Sequence, residues 1–98
     1  MADNGHENAK AYQVAQRAMA DLKTAVYAVL ANASAEGLRN VDIGHALGIY
    51  SGHVGHEGHI PRTVLAILEA EGVVVQDQKT KRWKLRVPSE TDGEEDAV

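Results

Sequence analysis

Three features of the chain predict an α+β domain. Residues 9 to 34 are Ala-rich, contain no Pro or Gly, and carry apolar residues at helical spacing. Two further helical patterns follow, each ended by a glycine. Arg82 to Val87 then alternates strictly between charged and apolar residues. A change of period from 3.6 to 2 predicts three helices followed by a two-stranded hairpin.

The first helix is expected from Ala9 to about Ser34, because Ala is the strongest helix former and nothing interrupts the run. Met19, Leu22, Val26, Val29 and Leu30 mark its inner face, and Gly37 is a stop shortly after it. Leu38 to Asn40 reads as a short extended piece, with Asn40 the expected N-cap of a brief helix over Val41–Leu47. There Ile43, Ala46 and Leu47 share one face, and Gly48 ends the element. Ile49 to Gly58 reads as a loop, from Gly52, Gly55 and Gly58, with Tyr50 as its apolar anchor. A third helix is expected over His59–Glu71. Pro61 sits in its first turn, where a missing N–H is harmless, and Ile60, Val64, Ile67 and Leu68 form its inner stripe. After Gly72, the β-branched run Val73–Gln76 reads as a strand and Asp77–Lys81 as a turn. Arg82–Val87 is the returning strand, with Trp83, Leu85 and Val87 inward and Arg82, Lys84 and Arg86 outward.

The 98 residues hold one small domain, 9–87, between two ends expected to be disordered: the polar segment 1–8 and the acidic tail 88–98. Hydrophobic residues make up 44%, but the aromatics are one Trp and three Tyr, so the core must be built from Ala, Val, Leu and Ile. No cysteine is present, which removes disulfides and thiol chemistry and fits a cytoplasmic setting. No apolar run approaches the roughly 18 residues of a membrane span. Neither a nucleophile motif nor a Lys-bearing Gly-rich phosphate loop is present, so a non-enzymatic protein without a cofactor is expected.

The formal charge of −4 argues at first against an anionic partner. The charges are uneven, however. The tail holds five acids and no base, which leaves ten bases and nine acids in residues 1–87. Between Gln76 and Val87, five bases stand against Asp77 alone.

The run Leu68-Glu69-Ala70-Glu71-Gly72-Val73-Val74 resembles the junction of recognition helix and first wing strand in winged helix-turn-helix regulators of the MarR and ArsR type. Lys81-Arg82-Trp83-Lys84-Leu85 resembles their second wing strand. The resemblance covers about Asp21 to Val87, with two departures. Gly48 to Gly58 is longer than the usual turn and rich in Gly and His, and Ala9–Ala20 extends the first helix. It implies a winged helix that binds double-stranded DNA and regulates transcription. The recognition helix, about 59–71, would present Arg62, Thr63 and His59 to the major groove. Arg39 and the wing residues Lys79, Lys81, Arg82 and Lys84, within the basic segment 77–86, would touch phosphates. A homodimer through Ala9–Ala31 would match paired half-sites. The rival reading is a winged helix that serves as a protein–protein interaction module of a larger assembly.

His53, His56 and His59 recur at three-residue intervals, with Glu57 between them and His45 nearby. They are the candidates for a metal site, and with it a metal-responsive regulator. The text His56-Glu57-Gly58-His59 differs from the His-Glu-x-x-His of zinc proteases. The preferred expectation is therefore no metal, with the imidazoles bonded to backbone or to phosphate at the third helix's N-terminus.

Overall fold

The first helix, α1, spans Asn4–Ala31. At 28 residues it is about 42 Å long. The computed structural model of the chain describes residues 4–52 and 55–86, so the tail 88–98 lies outside the described residues. Asn4 to Asn8, expected to be disordered, are helical. Extending an existing helix adds one hydrogen bond per residue fixed, whereas only nucleation is costly. The Ala-rich run therefore carries its polar leader into the helix. Residues 5–18 are all exposed, and α1 begins to bury surface at Met19. Below that point Leu22 and Val29 are half-buried, while Val26 and Leu30 are buried.

After a turn closed by the Gly37 N–H on the Ser34 carbonyl, the chain passes Leu38 in extended form. The second helix, α2, runs Asn40–Leu47. Its start departs from expectation: Arg39 takes the cap position, and its backbone N–H donates to Asp42 Oδ2 at 3.1 Å. Asn40 is already helical, and its side chain is used elsewhere. Gly48 ends the helix as expected, with its N–H on the His45 carbonyl.

The third helix, α3, spans His59–Ala70. Pro61, Val64, Leu65 and Leu68 are buried, whereas Ile60 and Ile67 are only half-buried. The inner stripe is thus rotated from the one expected. Positions 61, 64, 65 and 68 follow the i, i+3, i+4, i+7 rule as well as any choice in this segment. Pro61 was expected to serve only at the helix start, but its ring is also part of the core.

Two strands complete the fold: β1, Val74–Gln76, and β2, Trp83–Leu85. They pair antiparallel with Val74 opposite Leu85, Val75 opposite Lys84 and Gln76 opposite Trp83. On its other side Trp83 exchanges two backbone hydrogen bonds with Leu38, N–H to O at 2.9 and 2.6 Å. The connection between α1 and α2 is thereby tied to the hairpin. Gly37 is buried, and a Cβ there would collide with the Trp83 carbonyl oxygen. Its φ of 83° is also one that other residues rarely adopt.

The core consists of Val26, Leu30, Ile43, Val64, Leu65, Leu68, Val74 and Trp83, drawn from every element. It is aliphatic apart from Trp83, as the composition required. This α+β order of three helices and a hairpin is compatible with a winged helix. No helix among the described residues is long and apolar enough to cross a membrane.

Trp83 fills the core with its ring and bridges two chain segments with its backbone. Trp83→Ala should lower unfolding stability by about 3–5 kcal/mol, the usual range for removing a large buried aromatic. Val75→Ala, at a position 44% exposed, should stay within about 0.5 kcal/mol of the native chain. Urea unfolding followed by circular dichroism measures both, and equal midpoints would contradict the assigned core.

Candidate nucleic-acid interface

The face of α3 turned away from the core carries His59, Arg62, Thr63, Ala66, Glu69 and Ala70, all exposed. These positions form one continuous helical stripe. His59, Arg62 and Thr63 therefore lie together near its N-terminal end, with the small Ala66 after them and the acid Glu69 further along. The N-terminus of α3 has no side-chain cap, and its N-cap residue is Gly58.

The loop before α3 is fixed from below. Asn40 Nδ2 donates to the Gly58 carbonyl at 3.0 Å, and the Gly58 N–H donates to the Ser51 carbonyl at 3.1 Å. Tyr50, half-buried, stacks on His45 with ring centroids 4.8 Å apart. The same tyrosine packs so closely on Gly44 and Gly58 that a Cβ at either would run into it. Tyr50 is the loop's anchor, as expected from its position. The roles of His45, Asn40, Gly44 and Gly58 were missed, because an aromatic–glycine contact between distant segments leaves no periodic trace.

The hairpin turn is held by its own side chains. Asp77 Oδ1 accepts from the N–H groups of Lys79 and Thr80 at 2.8 and 2.9 Å. Those backbone donors, Thr80 first and then Lys79, hold the Asp77 carboxyl below the usual aspartate range. Thr80 Oγ1 accepts from the Arg82 N–H, and Gln76 Nε2 donates to the Lys81 carbonyl. Lys81 adopts a left-handed φ of 67°, the conformation that closes the turn. The turn expected over Asp77–Lys81 is thus opened by an Asp whose side chain accepts from the backbone two and three residues on.

The cations sort into two groups. Lys79, Lys81, Lys84 and Arg86 are exposed. Arg82, expected on phosphates, is half-buried and donates from Nη1 to the Gly37 carbonyl at 3.0 Å. Its first task is structural, because it ties the hairpin to the α1–α2 connection. Arg39 is exposed, with Nε 3.7 Å from Asp42 Oδ2, a loose surface pair of little energetic weight. Lys23 is paired with Glu71 at 2.9 Å, which ties α1 to the end of α3.

Of the metal candidates, His56 and His59 are exposed, and His53 lies outside the described residues. Among the described residues, no group of three or more His, Asp or Glu side chains gathers where it could hold a metal ion. Glu57 instead accepts from the Gly55 N–H at 3.1 Å.

No protein-family model matches the chain, and neither the curated proteins nor the solved structures contain a match to it. The residues and their geometry therefore carry the functional reading.

Gly58 and Gly55 share a left-handed backbone, φ 83° and 87°, but only Gly58 is crowded, since nothing lies within 4 Å of a Cβ at Gly55. Gly55→Ala should lose about 1–2 kcal/mol from backbone conformation alone. Gly58→Ala should lose clearly more and displace Tyr50. Thermal unfolding of the two variants decides the matter, and equal losses would mean that Tyr50 does not pin the loop.

Proposed function

We propose that this chain is a winged-helix domain that binds double-stranded DNA without catalysis, as a transcriptional regulator. The observation that carries the reading is the pairing of two exposed features on a fixed frame. One is the stripe His59, Arg62, Thr63 and Ala66 on α3; the other is the hairpin bearing Lys79, Lys81 and Lys84. In this reading Arg62 and Thr63 meet base edges in the major groove, and Ala66 lets the helix approach closely. His59, beside the uncapped start of α3, faces a phosphate, which helix N-termini favour. The hairpin is the wing, with its lysines along the backbone. Arg82 supports the wing from behind, and Arg39 adds a peripheral phosphate contact. The protein acts in the cytoplasm and needs no metal.

The dimer belongs to the same proposal. The first half of α1 exposes Tyr12 at 66% and Val14 at 69%, and residues 5–18 bury no surface against the rest of the domain. Pairing of this half with a second copy would place two α3 helices against paired half-sites. Sedimentation at twice the chain mass supports the dimer, and a monomer at high concentration removes it.

The test of DNA binding is a salt titration with mixed-sequence duplex, read by fluorescence anisotropy. Four cation–phosphate contacts, from Lys79, Lys81, Lys84 and Arg39, predict a log–log slope of about −3.6 and a loss of affinity of roughly 150-fold between 50 and 200 mM salt. Lys79→Ala with Lys81→Ala should reduce the slope by about two and weaken all sequences alike. Arg62→Ala should instead cost about 1–3 kcal/mol on the preferred sequence and relax specificity. No binding at low salt would overturn the reading and favour a protein-interaction module.

A further inference from the structure

The hairpin has a second basic surface, distinct from its tip. Strand alternation puts Arg82, Lys84 and Arg86 on the outer face of β2 and its extension, opposite the buried Trp83 and half-buried Leu85. Val75 lies directly across from Lys84, and it is 44% exposed. The Arg86 N–H donates to the Val73 carbonyl at 2.7 Å, which carries the pairing past the strand's end. The face is thus a row of cations beside an exposed valine. Its acids, Asp77 and Glu36, sit at the far end, where they border a groove with Thr80, Arg82 and Lys84. At that end Asp77 is already engaged by two backbone N–H groups and Arg82 by the Gly37 carbonyl. Lys84 and Arg86 have no ion-pair partner among the described residues.

The chain itself contains a matching ligand. Directly after Arg86 come twelve residues, 87–98, with Glu90, Asp92, Glu94 and Asp96 at every second position and no base. In extended form, alternate residues lie about 6.6 Å apart on one side. The same spacing separates Arg82, Lys84 and Arg86. The link Val87-Pro88-Ser89 leaves room for a reversal before Glu90. Twelve residues reach at most about 40 Å, while the return from Arg86 to Lys81 is only about 17 Å. Length, spacing and sign all agree.

We propose that the outer hairpin face is a docking surface for an extended acidic peptide, and that its occupant is the chain's own segment 88–98. Glu90 and Asp92 lie over Arg86 and Lys84, and the later acids extend toward the lysines of the turn. The contact is made of exposed ion pairs, so it is weak singly and sensitive to salt. Docking itself stands apart from the DNA reading. Its consequence, that duplex and tail compete for Lys84, rests on that reading.

The absence of cysteine from the sequence makes the test clean. Ala97→Cys in the full chain gives a single attachment point for a nitroxide spin label. Broadening of the backbone amide signals of Val75 and Lys84 is then measured without nucleic acid. The control carries the same label on a neutralised tail, with Glu90→Gln, Asp92→Asn, Glu94→Gln, Glu95→Gln and Asp96→Asn. At 50 mM salt the acidic tail should broaden these signals roughly threefold more than the neutral one, and 1 M salt, where screening acts within about 3 Å, should remove the difference. Lys84→Glu should remove it at low salt as well. Equal broadening from both tails would overturn the proposal. So would equal broadening in chains without the nitroxide mixed with chains that carry it, because the tail would then be binding a second copy. With no DNA present, neither result depends on whether the protein binds duplex.

Discussion

The backbone of Trp83 is the joint on which the fold turns. It pairs with Gln76 on one side and Leu38 on the other, while its indole, 7% exposed, completes the core. Because Trp83 points inward, strand geometry obliges Arg82, Lys84 and Arg86 to the other side. A register shift of one residue would bury the cations and expose the indole. The charge of the outer face and the stability of the core therefore have one cause. Gly37 belongs to the same joint, since only glycine leaves space for the Trp83 carbonyl. Arg82 reinforces it by bonding to the carbonyl of that same glycine.

A comparable constraint operates at the start of α3. The segment from Gly48 to Gly58 looks, by composition, like an unstructured loop. Tyr50 organises it by lying against His45 and two glycines, and the Asn40 amide fastens Gly58 to the start of α2. The start of α3 is therefore set by α2. Side chains on its first two turns are presented from a fixed position, as any recognition surface requires. Both constraints act on backbone next to His59, Arg62, Thr63 and Lys84, whose side chains are exposed.

Much of the fold was legible because its signals are local and periodic. The alternation from Arg82 onward gave the inward Trp83, and Gly48 and Gly72 bracketed helices with clear apolar stripes. What escaped was set by partners distant in sequence. Asn40 has the chemistry of a cap, yet its amide is drawn 18 positions away to Gly58. Leu65 is fully buried and Ile67 only half-buried, because the packing of α1, α2 and β1 around α3 decides which of two overlapping apolar faces goes inside. Arg82 reads as a surface cation in the strand pattern, but it meets a carbonyl from the α1–α2 connection. Of the proposed site, sequence supplied the residue types and the helix face, and structure separated Arg82, which holds the hairpin, from the cations left exposed.

The proposed function requires that duplex DNA meet the first half of α3 and the hairpin turn together. Amide chemical-shift mapping during titration with a duplex tests this directly. The account predicts that the perturbed signals fall within 59–66 and 77–84, while those of residues 5–18 on α1 stay in place or report only pairing between copies. Perturbations centred on α1, or spread without focus over the surface, would contradict it.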